Sequence, residues 1–600
     1  MITRIDNVAT LPAYVAAGTA VLAFLADLAA PARRGPVMVV TGLGAAATAV
    51  VAWVVGSGGT RGSFCVPSGP QGTVPPGVPS TSPTATCSLV ADHSAALIAV
   101  LFALLTLGVV ALSAPALRPS SVMLPAGEYC FLLACSMTGG VVLGYAHDLI
   151  TLVIAVETLT LPLYGLVALR RRSIASAEGA VVFFVVSVVS AAVSLLGAAL
   201  VYAVTGNLYF EGVAAALAGD AQTRGMPLTH VAVVLLVGGL AFKVAAVPFH
   251  AWAPATYDGA PTPVAAYLST ASKVGGVIAI LYTSVRALGP SLSIAGPVLA
   301  AIAALTMTIG NLVALRQDRM VRLLAWSSVA QSGYILAPLG VFALAGGRTP
   351  DAVGTAVAAT VAYTVFYVVL ELGAFGCVVA WRGAADGGRI ADYRGLARRS
   401  PWLGTAFVLA LIGLAGLPPG LAGLFAKVVI VKALGSGGAW WLALVVAINA
   451  VIGLAYYARV AAALFTSPAA QLAGAAATGG MPAGQPPAGV RGTGVPAIGR
   501  SPAGVPGTGV PATAAGPPDT APNAAVAGEA GERATAAVGA PGGTVVAAEV
   551  PGDDSASRWV RPAGAGWSVV VAVAVATVAG LVIGFAPQIV LHLADLAAGR

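Results

Sequence analysis

Long apolar runs separated by short polar connections make up most of the chain. Fourteen such runs stand at roughly 9–30, 36–56, 94–113, 125–146, 148–169, 176–204, 229–249, 261–285, 291–315, 320–345, 353–381, 402–434, 440–465 and 567–590. Each is close to or above the ~20 residues a helix needs to cross a hydrocarbon core. The pattern predicts an all-α polytopic membrane protein of about fourteen transmembrane helices. The first run has neither a strong basic region before it nor an evident small-residue cleavage site after it, so it reads as a helix and not as a cleaved signal peptide.

Residues 466–558 break the pattern. They hold no aromatic residue, are dominated by Ala, Gly, Pro, Thr and Val, and repeat PAGVRGTGVPA (487–497) as PAGVPGTGVPA (502–512). Such a stretch cannot bury a core, and it is expected to be a disordered linker, a tolerated insertion more than a docking tail. The expected organisation is three N-terminal helices (1–124), a helical core (125–465), the insert (466–565) and a last helix (566–600).

Proline and glycine interrupt two of the runs. Pro248 closes the seventh, with Pro254, Pro261 and Pro263 following, and Gly416-Leu417-Pro418-Pro419-Gly420 divides the twelfth. Broken backbone at membrane depth is tolerated where it is buried in protein or lines a wet cavity. Breaks at matching places in two halves suggest two inverted five-helix repeats, helices 4–8 and 9–13, with broken helices 7 and 12.

Composition narrows the class. Charged residues are 9% of the chain and apolar ones 58%, against about a quarter charged in soluble proteins. This excludes a soluble enzyme, a disordered protein and a nucleic-acid binder. The net charge of +8 reflects Arg in the connections. Those after odd-numbered helices carry fourteen Arg before the last long one is counted, against six on the other side with the termini. The positive-inside rule then puts the odd connections in the cytoplasm and both termini outside, in a bacterial-type plasma membrane. Cys65 and Cys87 share one loop on the outer side, where a disulfide and two free thiols are both open. Cys130, Cys135 and Cys377 read as packing residues, and no metal or redox cluster is apparent.

Lysine is the informative residue. Of 30 basic residues only four are Lys, and Lys243, Lys273, Lys427 and Lys432 all lie inside or at the edge of apolar runs. A charge at the bilayer centre costs at least ~2.5–3.5 kcal/mol, so it needs a reason. Glu157 and Glu371 are buried in runs of their own. Lysine can lose its proton where arginine cannot, so a Glu/Lys row fits proton transfer better than a set of static salt bridges. Coulomb coupling at ~6 Å and an effective dielectric near 20 is about 2.8 kcal/mol, enough for movement of Glu157 to switch Lys243 between holding and releasing a proton. His250, closing VPFH, reads equally as a relay or an interfacial residue. Glu128 reads equally as a lateral carboxylate or a solvated helix start. Lys432 reads as a snorkelling side chain and Asp258 as structural.

FKVAAVPFHAWAPATYDGAPTPVAAYLSTASKVGG (242–276), NLVALRQDRMVRLLAWSSVAQSGYIL (311–336) and DLITLVIAVETLTLPLYGLVALRRR (148–172) resemble the antiporter-like, proton-conducting membrane subunits of respiratory complex I. Lys427 and GEYCFLLACSMTGGVVLGYAHDLITL (127–152) resemble the N-type subunit in particular. The resemblance implies that Glu157 and Lys243 are the paired acid and base, Lys273 the central relay and Lys427 the terminal proton site. It implies that NADH, FMN, iron–sulfur clusters and quinone are bound by partner subunits and not by this chain, and that M-type and K-type membrane subunits are its neighbours. Three features depart from the family pattern: Val321 stands where Lys is usual, Gln331 where His is usual, and Glu371 where the position is usually uncharged. A subunit of an Mrp-type cation/proton antiporter is the alternative within transport, and a non-transporting membrane scaffold the alternative outside it.

Overall fold

The structure is a computed structural model describing residues 5–31, 33–66, 86–117, 124–170, 173–383, 386–466 and 566–597. The 466–558 insert lies outside the described residues, save Thr466. Twelve described helices are long and apolar enough to cross a membrane. They are α1 (Asn7–Ala29), α2 (Arg34–Ser57), α3 (His93–Ser113), α4 (Ala126–Tyr145), α5 (Leu149–Ala168), α6 (Ile174–Thr205), α7 (Pro227–Val244), α8 (Thr262–Ala287), α9 (Gly289–Ala314), α11 (Pro350–Arg382), α13 (Trp440–Phe465) and α14 (Trp567–Phe585). The two remaining apolar runs form α10 (Met320–Leu336) and the divided α12, Pro401–Ala415 and Leu421–Ser436. The all-α polytopic expectation therefore holds.

Local chemistry sets the helix ends. Asp6, Asp92, Asp148, Ser173 and Thr349 sit at N-caps and accept hydrogen bonds from first-turn backbone amides, satisfying donors that have no partner inside the helix. Pro227, Pro350 and Pro401 open helices at positions where a missing N–H costs nothing. Gly206 closes α6 with a φ of 69°, in the left-handed region open to glycine.

Three boundaries differ from the apolar runs. α7 unwinds through a 3-10 turn at Phe242–Val244 and stops there, so His250 lies in the following turn. α10 ends at Leu336 and passes into a 3-10 segment, Ala337–Ala343. α8 contains two π segments, Leu268–Ser272 and Tyr282–Ala287, and the first delivers directly into Lys273.

Burial orders the layers. The apolar window of α8 is 100% buried, while those of α2, α6 and α14 are only 28%, 28% and 22% buried. A helix apolar all round and bare on one side is suited to lipid or to a neighbouring subunit. The helix carrying Lys273 is thus the most enclosed of these spans.

The connections segregate to two faces. On one, Arg319 joins Asp258 at 2.8 Å and Asp386 at 3.2 Å, tying together the connections after α7, α9 and α11. Partial burial of the Arg319 guanidinium works against its charge, but the Asp258 and Asp386 carboxylates outweigh that and hold its pKa above the usual arginine value. On the other face, Asp148 bridges to Tyr209, and Arg286 at the end of α8 approaches Asp92 at 3.9 Å. The same side carries an antiparallel hairpin, β1 (Arg61–Cys65) and β2 (Cys87–Ala91). Its Cys65–Cys87 pair is a disulfide.

Candidate functional site

Lys243 and Lys273 are buried beside irregular backbone, and the half-buried Lys427 faces the break in α12. Lys243 occupies the unwound turn of α7, and Ala245 just after it has a φ of 56°. That left-handed geometry is disfavoured for a residue with a Cβ and needs the surrounding fold to hold it. Trp252 Nε1 donates to the carbonyl of Phe242 at 3.4 Å, satisfying part of the opened turn. Lys243 Nζ lies 2.9 Å from Glu157 Oε1 of α5, 3.1 Å from Ser187 Oγ of α6 and 3.3 Å from Thr160 Oγ1 of α5. The ammonium therefore has one carboxylate and two hydroxyls as partners, and its side chain is 4% exposed against 23% for Glu157.

α8 passes directly behind this pair. A Cβ at Gly276 would lie 2.9 Å from the Lys243 carbonyl carbon, so only glycine admits this approach. Lys273, three residues earlier on α8, points to α10. Its Nζ donates to the Ser328 carbonyl and to Ser332 Oγ at 2.6 Å, and lies 6.0 Å from the Tyr367 ring centroid. The two lysines thus sit on touching helices and face opposite ways.

The α12 break follows from proline chemistry. In a helix the Leu414 and Ala415 carbonyls would accept from residues 418 and 419, but both are proline and carry no N–H. Gln331 Nε2 of α10 donates to the Leu414 carbonyl at 3.1 Å, and Lys427 Nζ donates to the Ala415 carbonyl. Gly416, with a φ of 77°, turns the chain, and a Cβ there would lie 2.6 Å from Lys427 Cδ. Lys427 Nζ also lies 5.1 Å from the Tyr334 ring centroid.

Between Lys273 and Lys427 lies a polar network on α10, α11 and α13. Gln331 Oε1 accepts from Tyr363 at 2.6 Å, its Nε2 donates to Tyr457 at 3.1 Å, and Tyr457 shares a short hydroxyl contact with Ser327. Beyond Lys427, Tyr334 leads to Asn311, which is bonded to Asn449 and Tyr456. These hydroxyls and amides were not identifiable as partners from sequence; the one available signal was their recurrence inside otherwise apolar runs.

The other candidate residues separate. Glu371 on α11 is fully buried with neither oxygen hydrogen-bonded among the described residues. His250 is half-buried in the turn after α7, 5.4 Å from the Trp326 ring, and burial pushes its imidazole pKa down. Glu128 stands exposed on the first turn of α4, and Lys432 is exposed. Asp258 has the ionic role with Arg319 described above.

A row of lysines enclosed among helices and set at or against helix breaks belongs to a recognisable group. The model of the family described as NADH:quinone oxidoreductase/Mrp antiporter, TM, matches residues 146–453, just over half of the chain. The chain belongs to this family. Its match contains Glu157, Lys243, Lys273, Glu371 and Lys427. Within the NADH:quinone oxidoreductase/Mrp antiporter family the chain is a homologue of subunit N. It is 62% identical over 468 residues to NADH-quinone oxidoreductase subunit N of Salinispora tropica, covering 78% of this chain and 86% of that one. It is 41% identical to a Streptomyces griseus subunit N, covering 78% and 84%. Among solved structures, a chain of respiratory complex I from Thermus thermophilus aligns with a TM-score of 0.59 at 28% identity, covering 76% of this chain and 90% of that one. A chain of the Mrp complex from Dietzia sp. aligns with a TM-score of 0.67 at 20% identity, covering 98% and 97%, a likeness of fold.

Proposed function

We propose that the chain conducts protons as subunit N of a proton-pumping NADH–quinone oxidoreductase, through Glu157, Lys243, Lys273 and Lys427. The carrying observation is the Lys243–Glu157 contact of 2.9 Å at the α7 break. A buried lysine whose counterion sits on a different helix changes its proton affinity when the helices shift, because the Coulomb term falls with separation. Lys273 and Lys427 continue the row, the first held by a carbonyl and a hydroxyl and the second by a carbonyl, oxygens that a water chain can bridge. NADH, FMN, iron–sulfur clusters and quinone belong to partner subunits, and M-type and K-type membrane subunits are the expected neighbours. The Arg distribution supports a plasma-membrane orientation with the Arg319 face cytoplasmic and both termini outside.

The test is Lys243→Ala in the assembled complex. NADH oxidation and proton uptake are measured together in inverted membrane vesicles. Loss of proton uptake with the complex still assembled is expected; full pumping contradicts the reading. An Mrp-type role would show instead as this chain co-purifying without quinone-reducing subunits.

A further inference from the structure

The proposed relay leaves Glu371 without a part, yet its setting is unusual. The carboxyl is completely enclosed and neither oxygen has a hydrogen-bond partner among the described residues. An ionised carboxylate in such a place needs a cation within reach, or it takes up a proton. One turn earlier on the same face of α11, the Tyr367 hydroxyl donates to the Ser269 carbonyl of α8 at 2.7 Å. Its single donor is then used, so the Ser328 hydroxyl, 2.7 Å away, donates to it. Lys273 is bound to the Ser328 carbonyl and faces the Tyr367 ring. Residues four apart on a helix are neighbours, so Glu371 lies one turn from the ring that Lys273 faces. It is within electrostatic reach of Lys273 and of Tyr257, Tyr367 and Tyr457. Tyr457 leads on to Gln331 and the opened Leu414 carbonyl of α12.

Lys243 holds its carboxylate in direct contact, while Lys273 is bonded to neutral oxygens and has its carboxylate at one remove. We propose that Glu371 is the proton-exchange partner of Lys273, a second acid–base pair whose two groups communicate through a bridging hydroxyl or water. The Lys273 ammonium gives its proton to the Glu371 carboxylate, leaving a neutral amine and a neutral acid. The reverse transfer restores both charges, and no other reactant is consumed. The inference rests on the reading of this chain as a proton conductor.

Complexes carrying Glu371→Gln, Glu371→Asp and, in parallel, Lys243→Ala are compared in inverted vesicles for assembly, NADH oxidation and protons taken up per NADH. Glu371→Gln is expected to assemble and to lose proton uptake to the level of Lys243→Ala, with Glu371→Asp retaining part of it. Wild-type uptake by Glu371→Gln beside a defective Lys243→Ala overturns the Glu371 role and leaves the conduction reading standing. Wild-type uptake by both removes the two together. Should Glu371→Gln fail to assemble, the Glu371→Asp complex decides by redox-induced infrared difference spectra. A carboxylic-acid carbonyl band shifted from wild type supports the exchange, and an unchanged spectrum overturns it.

Discussion

Lys243 Nζ and Glu157 Oε1 meet at 2.9 Å although their helices, α7 and α5, are separated in sequence by the whole of α6. Under the proposed function this contact is both a packing element and a proton switch, and the two have different mutational signatures. Removing one partner leaves the other charge buried and costs about 3–5 kcal/mol, while replacing both by neutral groups of similar size is near neutral. Glu157→Gln alone should therefore lower the thermal stability of the complex and stop pumping. Glu157→Gln combined with Lys243→Met should recover most of the stability and none of the pumping. Thermal inactivation and vesicle acidification, measured on the same preparations, check this. Recovery of pumping in the double variant would reduce the pair to a structural one.

The α12 break makes a separate prediction at Gln331. Its amide answers the Leu414 carbonyl, which Pro418 leaves without a helical donor, and it also holds Tyr363 and Tyr457. Gln331→Leu keeps most of the volume and strands two buried polar groups, the Leu414 carbonyl and the Tyr363 hydroxyl, while the Tyr457 hydroxyl keeps its contact with Ser327. Each unsatisfied group costs about 1–3 kcal/mol. A lowered melting temperature of the complex is expected, with NADH oxidation at low temperature retained. Unaltered melting would mean that water replaces the amide.

What could be read from sequence follows the same division. A lysine in an apolar run is conspicuous because few other residues share that environment, so Lys243, Lys273 and Lys427 were visible as candidates. The interruption of α12 was visible too, because Pro418 and Pro419 remove two consecutive donors. The π segment before Lys273 was not, since no proline or glycine marks Leu268–Ser272 and the extra residue per turn is set by packing around α8. The ligands of Lys243 were equally silent. Thr160 bonds the Val156 carbonyl of its own helix at 2.6 Å, as hydroxyls in apolar helices commonly do, and only the tertiary fold adds the lysine.

Arg319 carries a third prediction. Its Nε lies 2.9 and 2.8 Å from the two oxygens of Asp258, and Nη2 reaches Asp386. The Arg319 side chain is 41% exposed, so solvent screens these bonds and each contributes about 1 kcal/mol or less. Arg319→Ala should lower stability modestly, and the difference from wild type should shrink as salt is raised. Arg319→Lys should restore part of the effect, since a single ammonium cannot match three bonds from a planar fork. Melting of the detergent-purified complex at low and high ionic strength is the measurement. A deficit independent of salt would show that the cluster acts by shape and not by charge.

The Cys65–Cys87 disulfide makes the orientation testable. It joins β1 to β2 across a sequence separation of 22, on the face opposite Arg319. Closing a loop of that order stabilises by roughly 3 kcal/mol, and such bonds persist in oxidising surroundings. The same hairpin is held to the start of α1, where the Asp6 amide donates to Ser63 Oγ at 3.0 Å and Arg61 meets the Asp6 carboxylate at 3.4 Å. If this face is outside the cytoplasm, a membrane-impermeant maleimide added to intact spheroplasts should label the chain only after treatment with an impermeant reductant. Cys130 and Cys377 are buried within the helices and should stay unlabelled in either case. Cys65→Ser with Cys87→Ser should abolish the reduction-dependent signal, which assigns it to the hairpin. Labelling confined to inverted vesicles would reverse the orientation, and with it the direction of the proposed proton relay.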